Sequence, residues 1–137
     1  MEYRELLNMA VLSRQSAYMP YSHFAVGAAL LCADGSVYTG SNIENAAFSP
    51  TVCAERVAFF KAVSDGKRDF IAIAIAGGRE GAAPVALVTP CGVCRQVMQE
   101  FCGNTPFDII LGSCADDMTV YKLTDILPLG FGPADLR

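Results

Sequence analysis

The sequence predicts an α/β fold, with helices on both faces of one sheet. Segments with helical spacing alternate along the chain with short apolar segments of strand length. One of the latter, Phe70 to Ala76, alternates Ile with Ala, as expected for a central strand covered on both faces. The composition is that of a packed core: 53% hydrophobic and 18% charged over 137 residues. That length suits one domain, residues 1–137, able to bury enough surface to fold without disulfide staples.

The elements follow in order. Tyr3, Leu6, Leu7, Ala10 and Val11 recur at helical spacing, and Met19-Pro20 ends that helix because the residue before proline avoids the helical region. Ala25 to Ala33 reads as a buried strand, and Gly27-Ala28-Ala29 within it suits close helix–sheet packing. Asp34-Gly35 is a hairpin turn, with Ser36 to Ser41 as the returning strand. Asn42 to Pro50 is a polar loop. Thr51 is the expected N-cap of a helix over Val52 to Val63. After the central strand, Gly77 to Pro84 is a loop and Val85 to Thr89 a short strand. Pro90 opens a helix to about Phe101. Phe107 to Gly112 is a strand, Met118 to Leu123 an edge strand, and the Pro- and Gly-bearing tail 127–133 is irregular.

The charge balance excludes some functions. Ten Lys and Arg among fourteen acids give a net charge of −4 and no basic patch for a nucleic-acid backbone. The N-terminus lacks a secretory layout, and no apolar stretch approaches the roughly 20 residues that span a bilayer. The expectation is a cytoplasmic protein bound to neither membrane nor nucleic acid. There, the six cysteines stay reduced and serve as ligands, catalysts or core fillers.

Two of the segments carrying them stand out: Cys53-Ala54-Glu55-Arg56 and Pro90-Cys91-Gly92-Val93-Cys94-Arg95-Gln96. Cys91 and Cys94 can reach one metal from a single helical turn. Cys53 can be a third ligand if the two helix starts lie side by side, where both dipoles favour thiolate. Three protein ligands leave a position for water, the pattern of catalytic zinc. Glu55, two residues from Cys53, can take that water's proton and hand it on. Arg56 can offset the excess thiolate charge. Taken singly, the C-x-x-C pair also fits a redox pair or half of a structural zinc site, with Cys32, Cys102 or Cys114 as a fourth ligand. Those three sit in apolar runs and read more simply as core. His23, the one histidine, reads as a loop residue.

These segments, with Pro20 to Ala29, Asn42-Ile43-Glu44-Asn45-Ala46 and Leu127 to Phe131, resemble the short, homotetrameric cytidine deaminases nearly end to end. The resemblance implies a three-layer α/β/α sandwich on a mixed five-stranded sheet. It implies one zinc per subunit held by Cys53, Cys91 and Cys94. Zinc-activated water attacks C4 of cytidine or deoxycytidine, and Glu55 moves protons to ring N3 and the departing amino group. Uridine or deoxyuridine and ammonia are the products, in pyrimidine salvage. Asn42 and Glu44 would hold the ribose hydroxyls. The backbones of Ala54 and Thr89 would read the base edge. Phe24 and Phe131 would wall the base, Phe131 from a neighbouring subunit of a homotetramer with composite sites. Arg56 and Gln96 would bond the thiolates. Phe48 stands where many members carry tyrosine. The alternatives are a sibling deaminase of another amino-heterocycle such as blasticidin S or a free base, a nucleic-acid deaminase, and a non-enzymatic zinc or thiol-redox module.

Overall fold

The computed structural model describes all residues from Met1 to Arg137. Helix α1 (Tyr3–Ser13) is followed by strands β1 (Phe24–Cys32) and β2 (Val37–Ser41), helix α2 (Ala54–Ser64) and strand β3 (Phe70–Arg79). Helix α3 (Gly92–Cys102), strands β4 (Asp108–Leu111) and β5 (Thr119–Lys122), and the short helix α4 (Leu123–Ile126) complete it. The five strands form one mixed sheet in the order β2-β1-β3-β4-β5. Only β3 and β4 run parallel.

Side chains alternate faces along a strand, and β3 shows what this does here. Ala72, Ala74 and Ala76 meet Leu6, Leu7 and Ala10 of α1 on one face. Ile73 and Ile75 pack with Ala54, Ala58, Phe59 and Met98 of α2 and α3 on the other. The Ile–Ala alternation thus records two faces of different depth: a shallow one under α1 and a deep one under α2 and α3. Phe59, midway along α2, and Phe101, near the end of α3, stack with ring centroids 6.1 Å apart, beside Phe70 and Phe107.

Four expectations are corrected. Val85 to Thr89 is not a strand: only Val85 bonds the backbone of β3, donating its N–H to Gly77 O at 2.8 Å. Pro84 and Pro90 flank it, and a proline cannot donate to a ladder. Helix α2 begins two residues later than predicted, with Cys53 as N-cap. Val52 is still extended, bridged to Ile43, and Thr51 Oγ1 accepts the Asn45 N–H instead of capping. Helix α3 likewise begins at Gly92, with Cys91 as its N-cap. Cys114 is exposed, ahead of a 3-10 turn, whereas Cys32 and Cys102 are core as expected. No helix is long and apolar enough to cross a membrane.

Candidate active site

The helix starts of α2 and α3 converge. Each is capped by a cysteine whose side chain accepts no backbone N–H of the first turn, so both helix starts bring their unpaired N–H groups to the thiols. Cys53 Sγ lies 3.8 Å from Cys91 Sγ, and Cys91 Sγ 3.5 Å from Cys94 Sγ. All three sulfurs lie within 4.8 Å of one another. Tetrahedral zinc with Zn–S bonds of about 2.3 Å separates its sulfurs by about 3.8 Å, so the donor set fits that ion. Cys32, Cys102 and Cys114 do not join the cluster, which leaves three protein ligands and disposes of the four-ligand structural site.

Arg56, one turn along α2, donates from Nη2 to Cys53 Sγ at 3.5 Å. The Cys53 thiol is pulled down to about 5 by the Cys94 hydrogen bond and by Arg56. Cys94 moves the other way, because it shares that bond with Cys53 and is buried. Cys53 therefore ionises before Cys94.

Glu55 is one of only two buried polar residues, 4% exposed. Burial pushes its carboxyl up to about 7, and the Cys53 thiolate adds to the rise. A carboxyl poised there holds and releases a proton near neutrality. Glu55 lines a cavity of about 180 Å³ together with Asn42, Glu44, Cys53, Ala54, Thr89 and Cys91. Val26, Thr51, Val52 and Val88 complete its walls. Sequence reasoning missed these four. The signal for Val26 was its place on the α2-facing side of β1; Val88 carried none, because the segment around it is irregular.

The predicted sugar-holding pair is present and anchored. Asn42 Oδ1 accepts the Val26 N–H at 2.8 Å, and its Nδ2 donates to Phe24 O at 2.8 Å. The amide thus mimics one rung of a strand and is held in one orientation. Glu44 Oε1 accepts the N–H groups of Tyr21 and Ser22 at 3.0 and 3.1 Å. The Ser22 hydrogen bonds hold this carboxyl below its usual range. Five predicted residues do not line the cavity of a single chain: Cys94 and Arg56, which belong to the sulfur cluster, and Phe24, Phe131 and Gln96. Phe24 packs over Gly77, near Val88. Phe131 is 59% exposed. Gln96 Nε2 donates to Phe131 O at 2.7 Å, not to a sulfur.

A sheet with helices on both faces, and three thiols with a buried carboxyl between two helix starts, define a zinc-dependent deaminase architecture. The zinc-binding region of cytidine and deoxycytidylate deaminases matches residues 1–107. The cytidine deaminase of Sporosarcina psychrophila is 47% identical over 136 residues, covering 99% of this chain and 96% of the relative. That of Halalkalibacterium halodurans is 45% identical and covers all of this chain and 99% of its own. The crystal structure of the Burkholderia pseudomallei cytidine deaminase superposes with a TM-score of 0.85 at 41% identity, covering 96% of this chain and 100% of that one. The chain belongs to the cytidine deaminase family of zinc aminohydrolases.

Proposed function

We propose that this chain hydrolyses cytidine and deoxycytidine to uridine and deoxyuridine plus ammonia, as one catalytic domain in the cytoplasm, within pyrimidine salvage. The observation that carries the reading is Glu55: a buried carboxyl with its pKa raised to about 7, in the same small cavity as two of the three clustered thiols, Cys53 and Cys91. Cys53, Cys91 and Cys94 would hold zinc, which supplies a water activated at neutral pH. Glu55 would take one proton from the attacking water and deliver it to ring N3, then take the second from the hydroxyl newly bonded to C4 and carry it to the departing amino group, which leaves as ammonia. Arg56 steadies the Cys53 thiolate. Glu44 spends one carboxylate oxygen on Tyr21 and Ser22, leaving the other to accept from sugar hydroxyls. The anchored Asn42 keeps one amide hydrogen for the same sugar, and main-chain groups of Ala54 and Thr89 border the base.

The active form is a homotetramer with composite sites. The cavity of one chain, about 180 Å³, is smaller than the roughly 300–1,000 Å³ of typical small-molecule pockets. Phe48, Leu129 and Phe131 are exposed and available to wall a neighbour's cavity. Light scattering should read a tetramer; a monomer active at high dilution would contradict the composite site.

Turnover of cytidine, deoxycytidine, cytosine, blasticidin S and a cytosine-bearing single-stranded oligonucleotide, measured side by side, tests the substrate. The two nucleosides should be consumed and the other three left. Preference for blasticidin S or the free base would overturn the assignment to nucleosides.

A further inference from the structure

Helix α3 reaches out of its own axis to grip main-chain carbonyls elsewhere. Arg95 Nε donates to Pro90 O at 2.8 Å, and its Nη1 donates to Ile126 O at 2.6 Å. Gln99 Nε2 donates to Gly130 O at 3.4 Å. Pro90 immediately precedes the ligand Cys91, and Ile126 ends α4 just before the tail. Residues 86–90 make no backbone–backbone hydrogen bond at all. Pro90 is nonetheless fully buried, so the Arg95 N–H satisfies a carbonyl that has no backbone partner. Ile126 O is one of the carbonyls that a helix end leaves unpaired.

We propose that Arg95 is a positioning residue that locks the Cys91 loop and the C-terminal tail into one fixed relation. Zinc retention and the placement of Phe131 then depend on the same guanidinium. The role given to Phe131 rests on the composite-site reading; the lock itself does not. A planar fork can bond two carbonyls in different directions at once, which a single ammonium does less well. Cys53 needs no such device, because the bridge between Ile43 and Val52 fixes its approach.

The test measures zinc release from the native holoenzyme to a chromogenic chelator. Amide exchange of residues 127–131 is followed on the same protein. Arg95→Met keeps the stem and removes the fork. It should release zinc about 10–100-fold faster, the usual effect of losing a group that orients a metal ligand, and its tail amides should exchange faster. Arg95→Lys should fall between it and the parent. Gln99→Ala removes a bond to the tail and none to Pro90, and should speed tail exchange without changing zinc release. Ile110→Val, a core change on the α1 face, controls for lost stability and should leave release unchanged. Release from Arg95→Met within twofold of the parent, or matched by Ile110→Val, overturns the proposal. So does faster release with unchanged tail exchange. None of these readouts involves turnover, so an error in the substrate assignment would not alter them.

Discussion

Helices α1 and α2 both approach the sheet over a glycine. A Cβ on Gly27 of β1 would fall 2.0 Å from Ala10 O and 2.5 Å from Ser13 Oγ of α1. A Cβ on Gly40 of β2 would fall 2.4 Å from Ala54 O and 2.6 Å from Ala58 N of α2. The contact is the same, but what hangs on it differs. The α1 face is closed with alanine and leucine, and no ligand or titratable group of the site sits on it. On the α2 face the helix seated over Gly40 begins with Cys53, Ala54 and Glu55. Close packing on the first face sets stability; on the second it also sets the distance between a sulfur and its partners.

The two faces should separate most sharply when a ligand is removed. Cys91→Ala should abolish zinc binding and turnover while the α1 face keeps its packing. Metal analysis with circular dichroism would read this as loss of zinc with the helical signal retained. Next, Gly27→Ala and Gly40→Ala should each cost about 1–3 kcal/mol of stability, the usual penalty of overpacking. Only Gly40→Ala should also weaken zinc binding, as read by competition with a chelator. Equal zinc affinity in the two variants would mean that the seat of α2 does not control the site.

A third prediction concerns pH. Glu55 has a folded pKa of about 7 against an ordinary 4.5. A group whose pKa is raised by folding contributes stability that is complete below the unfolded value and lost as pH rises through the folded one. In metal-stripped, reduced protein the parent should therefore lose stability relative to Glu55→Gln between about pH 4.5 and 8. The difference should be on the order of 1–3 kcal/mol. Denaturant melts of the two proteins at pH 5 and pH 8 measure it. An unchanged difference would mean the carboxyl is not desolvated. The smallest effect expected is at Phe48, which is 73% exposed with a left-handed φ of 58°. Phe48→Tyr should leave stability and zinc unchanged. It should lower KM by no more than about tenfold, the worth of one hydrogen bond of 0.5–1.5 kcal/mol.

The two faces were not equally legible in the sequence. The Ile–Ala alternation of β3 announced a central strand, and the Gly27-Ala28-Ala29 run announced the close contact with α1. The ligand trio and Glu55 were legible because spacing on a helix start is local information. What could not be read was set by contacts between distant segments. Thr51 carries the chemistry of an N-cap, but the Ile43–Val52 bridge keeps the chain extended past it. Val85 to Thr89 has the composition of a strand, but the prolines and a single bond to Gly77 leave it as a loop. The fixed orientation of Asn42 and the grip of Arg95 on two carbonyls come from main-chain groups far apart in sequence. No residue pattern encodes those.

The most direct test of the account is zinc content and cytidine turnover measured on the same samples of the parent and of Glu55→Gln. The account predicts about one zinc per chain in both, and turnover about 10²–10⁴-fold lower in the variant, the range for a lost general acid–base group. A Glu55→Gln protein that holds its zinc and deaminates cytidine at the parent rate would contradict the assignment of Glu55 as the proton carrier.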